Sequence, residues 1–200
     1  GGGAMSGVLG GLLTLLIIGG LIWLAIRLFT GRGFSMGAAG GGMARSVGAA
    51  AAPMPTQFRG RDTAVNDTDL AAFQEIHAGV QEAWSRSDLG RLRQLMTPEI
   101  LSYFSEELTR NASEGVQNTV SDVRLLKGEI TESWEEGDLQ YATAYMRWSA
   151  IDQVLRLGRG PGQPDQVVSG DPRVPTESEE VWTFVRRRDG DWLLSAIQQV

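Results

Sequence analysis

Two hundred residues without a cysteine allow one ordinary domain with accessories, and they exclude a disulfide framework or a thiolate metal site. The formal net charge of −6 hides a division: the first 61 residues hold five arginines and no acid, whereas residues 62–200 hold 13 basic and 24 acidic side chains, a net −11. An acidic body repels phosphate backbones, so no nucleic-acid partner is expected, and a lone histidine, His77, excludes any site that needs two.

Residues 1–7 read as a flexible N-terminus. Val8–Phe29 is a 22-residue apolar run whose one charge, Arg27, sits at its far end. As a helix it measures about 33 Å, enough to cross a hydrocarbon core of about 30 Å. It shows no polar face, as a core helix would, and no basic residue precedes it, as in a signal peptide. Trp23, Phe29 and Arg27 suit the headgroup boundary. Arg27, Arg32 and Arg45 all follow the span, so the positive-inside tendency places the C-terminal part on the cytoplasmic side of an inner membrane. Residues 30–66 form a linker rich in Gly, Ala and Pro. A flexible chain of its length spans on the order of 30 Å root-mean-square.

A globular pattern begins at Asp67. Leu70, Phe73, Ile76, His77, Val80 and Trp84 recur at helical spacing, with Asp67 or Asp69 as the cap. Ser87-Asp88 starts a second helix carrying Leu89, Leu92, Leu95 and Met96. Thr97-Pro98-Glu99 starts a third, with Ile100, Tyr103, Phe104 and Leu108 inward, ending at Asn111–Gly115. Strands follow at Thr119–Trp134 and Leu139–Leu155, with a turn at Glu136-Gly137-Asp138. Gly158–Pro175 reads as a loop. Glu177–Arg188 and Asp191–Gln199 form a hairpin about Asp189-Gly190. Helices followed by antiparallel strands predict an α+β fold with the helices packed on a curved sheet.

Ala83-Trp84-Ser85-Arg86-Ser87-Asp88-Leu89, with Leu92 and Leu95-Met96-Thr97-Pro98-Glu99, resembles the helical half of the Tim-forty-four-like family. The resemblance continues in Trp134-Glu135-Glu136-Gly137, Val168-Ser169-Gly170-Asp171 and Glu180-Val181-Trp182-Thr183-Phe184-Val185-Arg186. It closes with Trp192-Leu193-Leu194-Ser195-Ala196-Ile197-Gln198-Gln199, covering about residues 67–200. That family is named for the mitochondrial inner-membrane import-motor subunit and has bacterial relatives. The resemblance implies a cone-like fold similar to nuclear transport factor two, with an apolar pocket, in proteins that associate with membranes and act as scaffolds. The mitochondrial protein's long charged N-terminal segment, which serves its chaperone, is not matched here. In place of peripheral attachment, the chain is expected to have its own apolar span.

The expected function is therefore a membrane-anchored scaffold that holds a protein partner or anionic lipid, without a catalytic set or cofactor. The alternative is a cone-fold enzyme or carrier for a small apolar ligand, with His77 as base. Candidate pocket residues are His77, Trp84, Tyr103, Trp148, Trp182 and Trp192. Arg186, Arg187 and Arg188 form the domain's one basic run and the candidate lipid contact. Glu129, Glu132, Glu135, Glu136 and Asp138 read as a solvated strand and turn, because alternation scatters them over two faces. No metal is expected.

Overall fold

The computed structural model describes residues 65–200. The predicted span Val8–Phe29 and the linker up to residue 64 lie outside the described residues. Among those described, no helix is long and apolar enough to cross a membrane.

The first helix, α1 (Asp67–Ser85), is capped one residue earlier than the sequence suggested. The Asn66 side chain accepts from the Asp69 backbone N–H at 3.0 Å, and Asp69 Oδ2 accepts from the Asn66 N–H at 3.1 Å. This reciprocal box satisfies two amide groups that the first turn would leave bare. A short helix, α2 (Leu89–Leu95), starts where Asp88 accepts from the Arg91 N–H. The third, α3 (Pro98–Ser113), has proline in its first turn, but Thr97 makes no side-chain cap. The Thr97 backbone N–H donates instead to Leu194 O at 2.9 Å, and Met96 bridges Leu194 in parallel. That strap ties the start of α3 to the sheet.

The strands are β1 (Val116–Glu136), β2 (Leu139–Arg156), β3 (Val167–Ser169), β4 (Thr176–Arg187) and β5 (Leu193–Gln199). They make one antiparallel sheet in the order β1-β2-β4-β5, with β3 paired to β2. The segment expected to be wholly loop, Gly158–Pro175, therefore contributes a short strand. Its three residues offer too little apolar alternation to stand out in sequence. Gly170 turns the chain after it at φ +86°, and a Cβ there would lie 2.1 Å from Asp152 O. Register shifts within β1, between Ser121 and Arg124, Leu125 and Lys127, and Ile130 and Glu132, mark the irregularities that let so long a strand bend.

Strand alternation sorts the sheet into two faces. Ala142, Ala144, Met146 and Trp148 of β2 and Glu180, Trp182 and Phe184 of β4 are buried on the helix side. Phe73 of α1 stacks on Phe184 with ring centroids 4.1 Å apart, and Trp192 meets Phe73 edge-on at 5.0 Å. Full burial of such an aromatic contributes about 2–3 kcal/mol. Trp84, deeper along α1, donates to Asn118 Oδ1 at 2.7 Å and meets Phe104 of α3 edge-on. The helices thus close one side of the sheet. The other side stays open.

Candidate functional site

Two places carry chemistry. The first lies inside. His77 from α1 faces Trp148 of β2 at 5.1 Å and Trp182 of β4 at 4.9 Å between ring centroids. Both indoles converge on one carboxyl oxygen: Trp148 Nε1 donates to Glu180 Oε2 at 3.0 Å and Trp182 Nε1 at 2.7 Å. His77 Nε2 and Glu180 Oε1 have no protein partner. Burial lowers the His77 pKa to about 4, so the imidazole is neutral near pH 7. Burial also raises that of Glu180, against the two indole bonds that favour its carboxylate. A neutral imidazole and a carboxyl with one open atom each can hold a proton or a small polar group. His77 and the two indoles are each 2 % exposed or less, so this constellation is closed to solvent.

Glu180 was not singled out from sequence. A signal for it existed: it stands two and four residues before Trp182 and Phe184, so strand parity puts a carboxyl on the apolar face. Of the six candidate pocket residues, only His77, Trp148 and Trp182 meet here. Trp84 belongs to the Asn118–Phe104 contact described above. Trp192 donates to Asp69 Oδ1 at 2.8 Å, near the start of α1. Tyr103 is half-buried on α3.

The second place is the open face of the sheet. Trp134, Tyr141, Val185 and Leu193 are consecutive partners across β1, β2, β4 and β5. All four are half-buried. Trp134 and Tyr141 stack at 4.9 Å with their planes 5° apart. Burial raises the Tyr141 pKa, with the Glu136 charge adding to it. At the β5 end the Leu194 strap brings Thr97, Pro98 and Glu99 alongside. They join Leu139, Tyr141, Val185, Leu193 and the Arg186–Asp191 turn to form a groove of about 690 Å³. Its floor is mainly apolar, with Glu99, Asp191, Arg186 and Arg187 at its rim.

Two of the run's three arginines, Arg186 and Arg187, line one end of this groove. Arg186 bonds Asp69 at 2.7 Å and Gln140 at 2.7 Å, and its guanidinium lies 4.4 Å over the Trp192 ring. Arg187 pairs with Asp138 at 2.9 Å and Arg188 with Glu135 at 3.6 Å, both pairs largely exposed. Exposed pairs of that kind are worth at most about 1 kcal/mol, so a stronger anion can displace the carboxylates. The acidic run is dispersed: Glu129 lies beside Lys127, Glu135 accepts from Gln140, and Glu136 from Trp134. Among the described residues no cluster of three metal-ligating side chains forms.

A family model, the Tim44-like domain, matches residues 51–199. No curated protein matches the chain. Among solved structures, the intermembrane-space region of the chloroplast protein ARC6 is similar, at 14 % identity and a TM-score of 0.44. The match covers 65 % of this chain and 95 % of that one. An NTF2-like family protein from Streptomyces avermitilis is similar at 20 % identity and a TM-score of 0.35, over 68 % and 99 % of the two chains. A conserved protein from Planctomyces limnophilus is similar at 15 % and 0.34, over 68 % and 100 %.

Proposed function

Because the chain belongs to the Tim44-like domain family, we propose that it is a membrane-associated binding module, and that its apolar span and linker hold the domain at the cytoplasmic face of an inner membrane. The domain presents the open-face groove to a protein partner or to lipid. One observation carries this reading. An apolar ladder, Trp134–Tyr141–Val185–Leu193, crosses all four main strands on the face opposite the buried core, where only the first turn of α3 comes alongside. A monomeric sheet that faced only water would carry polar side chains there. Arg187 and Arg188 stand beside the groove, where anionic headgroups would add about 1 kcal/mol per cation.

The test uses the intact protein in cells, with a photo-reactive residue in place of Tyr141 and, separately, of Ser121 on the exposed part of β1. A discrete adduct, protein or lipid, formed from position 141 alone supports the groove as the binding surface. Adducts of equal yield from both positions, or none, would sink it. Retention in the membrane pellet after alkaline carbonate extraction tests the anchor separately.

A second reading has one observation in its favour. Two buried polar atoms without a protein partner, His77 Nε2 and Glu180 Oε1, flank the same pair of indoles, which favours an acid–base role toward a small apolar ligand. His77→Gln decides it. Lost turnover with unchanged thermal stability supports an enzyme or carrier, whereas lost stability without any turnover to lose returns His77 to the core.

A further inference from the structure

Of the six large apolar side chains that stand exposed among the described residues, four belong to one short stretch: Leu157, Val167, Val168 and Val174, each between 38 and 57 % exposed. The stretch is built, not slack. Gly158 and Gly162 turn the chain at φ +76°, and Asp165 at φ +62°. The Arg156 N–H donates to Gln166 O at 2.7 Å, and the side chains of Gln163 and Gln166 accept from the N–H groups of Gly160 and Gly162. β3 then pairs with the end of β2, where Leu155 faces Val167. Backbone and amide bonds thus shape this flap, and its apolar side chains stay outside the core. A single exposed valine needs no explanation, but four aliphatic groups on one ordered flap mark an interaction surface.

The flap's charge departs from that of the body. Residues 156–175 hold three arginines against two aspartates, a net +1, within residues 62–200, whose net is −11. Arg159 has no ion pair among the described residues, and Arg173, 87 % exposed, meets only its neighbour Asp171, at 3.7 Å. Arginine beside exposed aliphatic groups suits a headgroup boundary, where the aliphatics reach acyl chains and the guanidinium reaches phosphate. An acidic body approaches an anionic surface most readily by such a pole. The flap also lies far from the groove. Leu139 and Tyr141, at the start of β2, line the groove, whereas Leu155 stands fourteen residues beyond Tyr141, about 45 Å of strand path. Pairing of β2 with β4 ends at Ala150, before the flap begins.

We propose that the flap at residues 157–174 seats on an anionic lipid surface, with Leu157, Val167, Val168 and Val174 at the acyl boundary and Arg159 and Arg173 on headgroup phosphates. The domain is then held by this pole as well as by its tether. The groove, at the other end of β2, is turned toward the aqueous side, where a protein segment rather than a headgroup meets it. The proposal rests on the membrane association argued above but not on the groove, so the two fail in different experiments.

Because the chain has no cysteine, single labels are clean. The full chain carries an environment-sensitive fluorophore on Val174→Cys, on Val168→Cys or, as control, on Glu99→Cys at the groove. It is reconstituted into vesicles of phosphatidylcholine with phosphatidylglycerol. Nitroxide-bearing lipid is expected to quench the two flap labels at least threefold more than the groove label. Arg159→Glu with Arg173→Glu, or vesicles of phosphatidylcholine alone, should bring flap quenching down toward the control. Equal quenching at flap and groove overturns the proposal, as does none at either. Flap quenching that survives both changes overturns the role given to the arginines. A photo-reactive residue at position 174 that yields a protein adduct in cells, without flap quenching in vesicles, assigns the flap to a protein partner and overturns the lipid reading. Should Val168→Cys disturb β3, Val174→Cys, outside every strand, carries the same outcomes.

Discussion

Asp69 and Arg186, 117 residues apart, meet at 2.7 Å and join the first turn of α1 to the end of β4. Asp69 is 3 % exposed and its carboxylate is fully used. Oδ1 accepts from Arg186 and from Trp192 Nε1, while Oδ2 accepts from the Asn66 N–H that opens the helix. A single side chain thus caps a helix, orients an indole and fixes the cation at the groove's end.

Asp69→Ala should therefore cost more than an ordinary cap. Loss of a capping side chain costs about 1 kcal/mol. Leaving a guanidinium without its carboxylate adds to that, though Arg186 retains 21 % exposure and can recover water. A total near 3 kcal/mol is expected in urea denaturation. A loss under about 1 kcal/mol would mean the pair is looser than its geometry implies.

His77 makes stability pH-dependent in a defined direction. Its folded pKa of about 4 lies below the unfolded value near 6.5. The unfolded chain therefore takes up the proton first, and the folded state loses ground as pH falls from about 6.5 toward 4. The full penalty is about 3 kcal/mol. His77→Gln removes it. The stability gap between wild type and this variant should shift by 2–3 kcal/mol (about that range) in the variant's favour between pH 7.5 and 4.5. Parallel melting-temperature curves across that window would refute the buried neutral imidazole.

Glu180 acts with the opposite sign. Its raised pKa means that the folded state holds the proton where the unfolded chain has released it, so its contribution is lost as pH rises through the folded value. Glu180→Gln mimics the protonated acid and keeps an acceptor for both indoles. Its stability relative to wild type should increase with pH. Glu180→Leu instead strands the N–H groups of Trp148 and Trp182 and should cost about 2–4 kcal/mol at pH 5, a gap that narrows with rising pH as the wild-type carboxyl loses its own contribution. Denaturant titrations of the two variants from pH 5 to 8 separate these outcomes.

The helices and the main strands were legible because their apolar residues follow periods of 3.6 and 2 with caps and turns between them. The α1 cap moved to Asn66 because a local pattern cannot say that Asp69 is needed elsewhere, by Arg186 far along the chain. The same holds for the candidate sites. Proximity of Trp148 and Trp182 depends on the β2–β4 register, in which Ala144 faces Trp182 and Trp148 faces Ser178. Tryptophan count alone grouped Trp84 and Trp192 with them, although burial among helices and burial beside a turn look alike in sequence. The open-face ladder escaped notice for a related reason. Trp134, Tyr141, Val185 and Leu193 come from four strands, and no single strand shows more than one of them.

That ladder makes the final prediction a separation of stability from function. Val185 lies at its centre, half-buried, between Tyr141 and Leu193, while the adjacent Phe184 carries the core contact. Val185→Thr keeps the β-branched shape and changes only the surface's polarity, so folding stability should fall by less than about 1 kcal/mol. Val185→Lys puts a charge on the groove floor. It is expected to abolish adduct formation from position 141, while the His77-dependent pH profile stays unchanged. A Val185→Lys protein that unfolds outright would instead show that the open face is integral to the core. The threonine variant then carries the test, through a graded loss of cross-linking at nearly native stability.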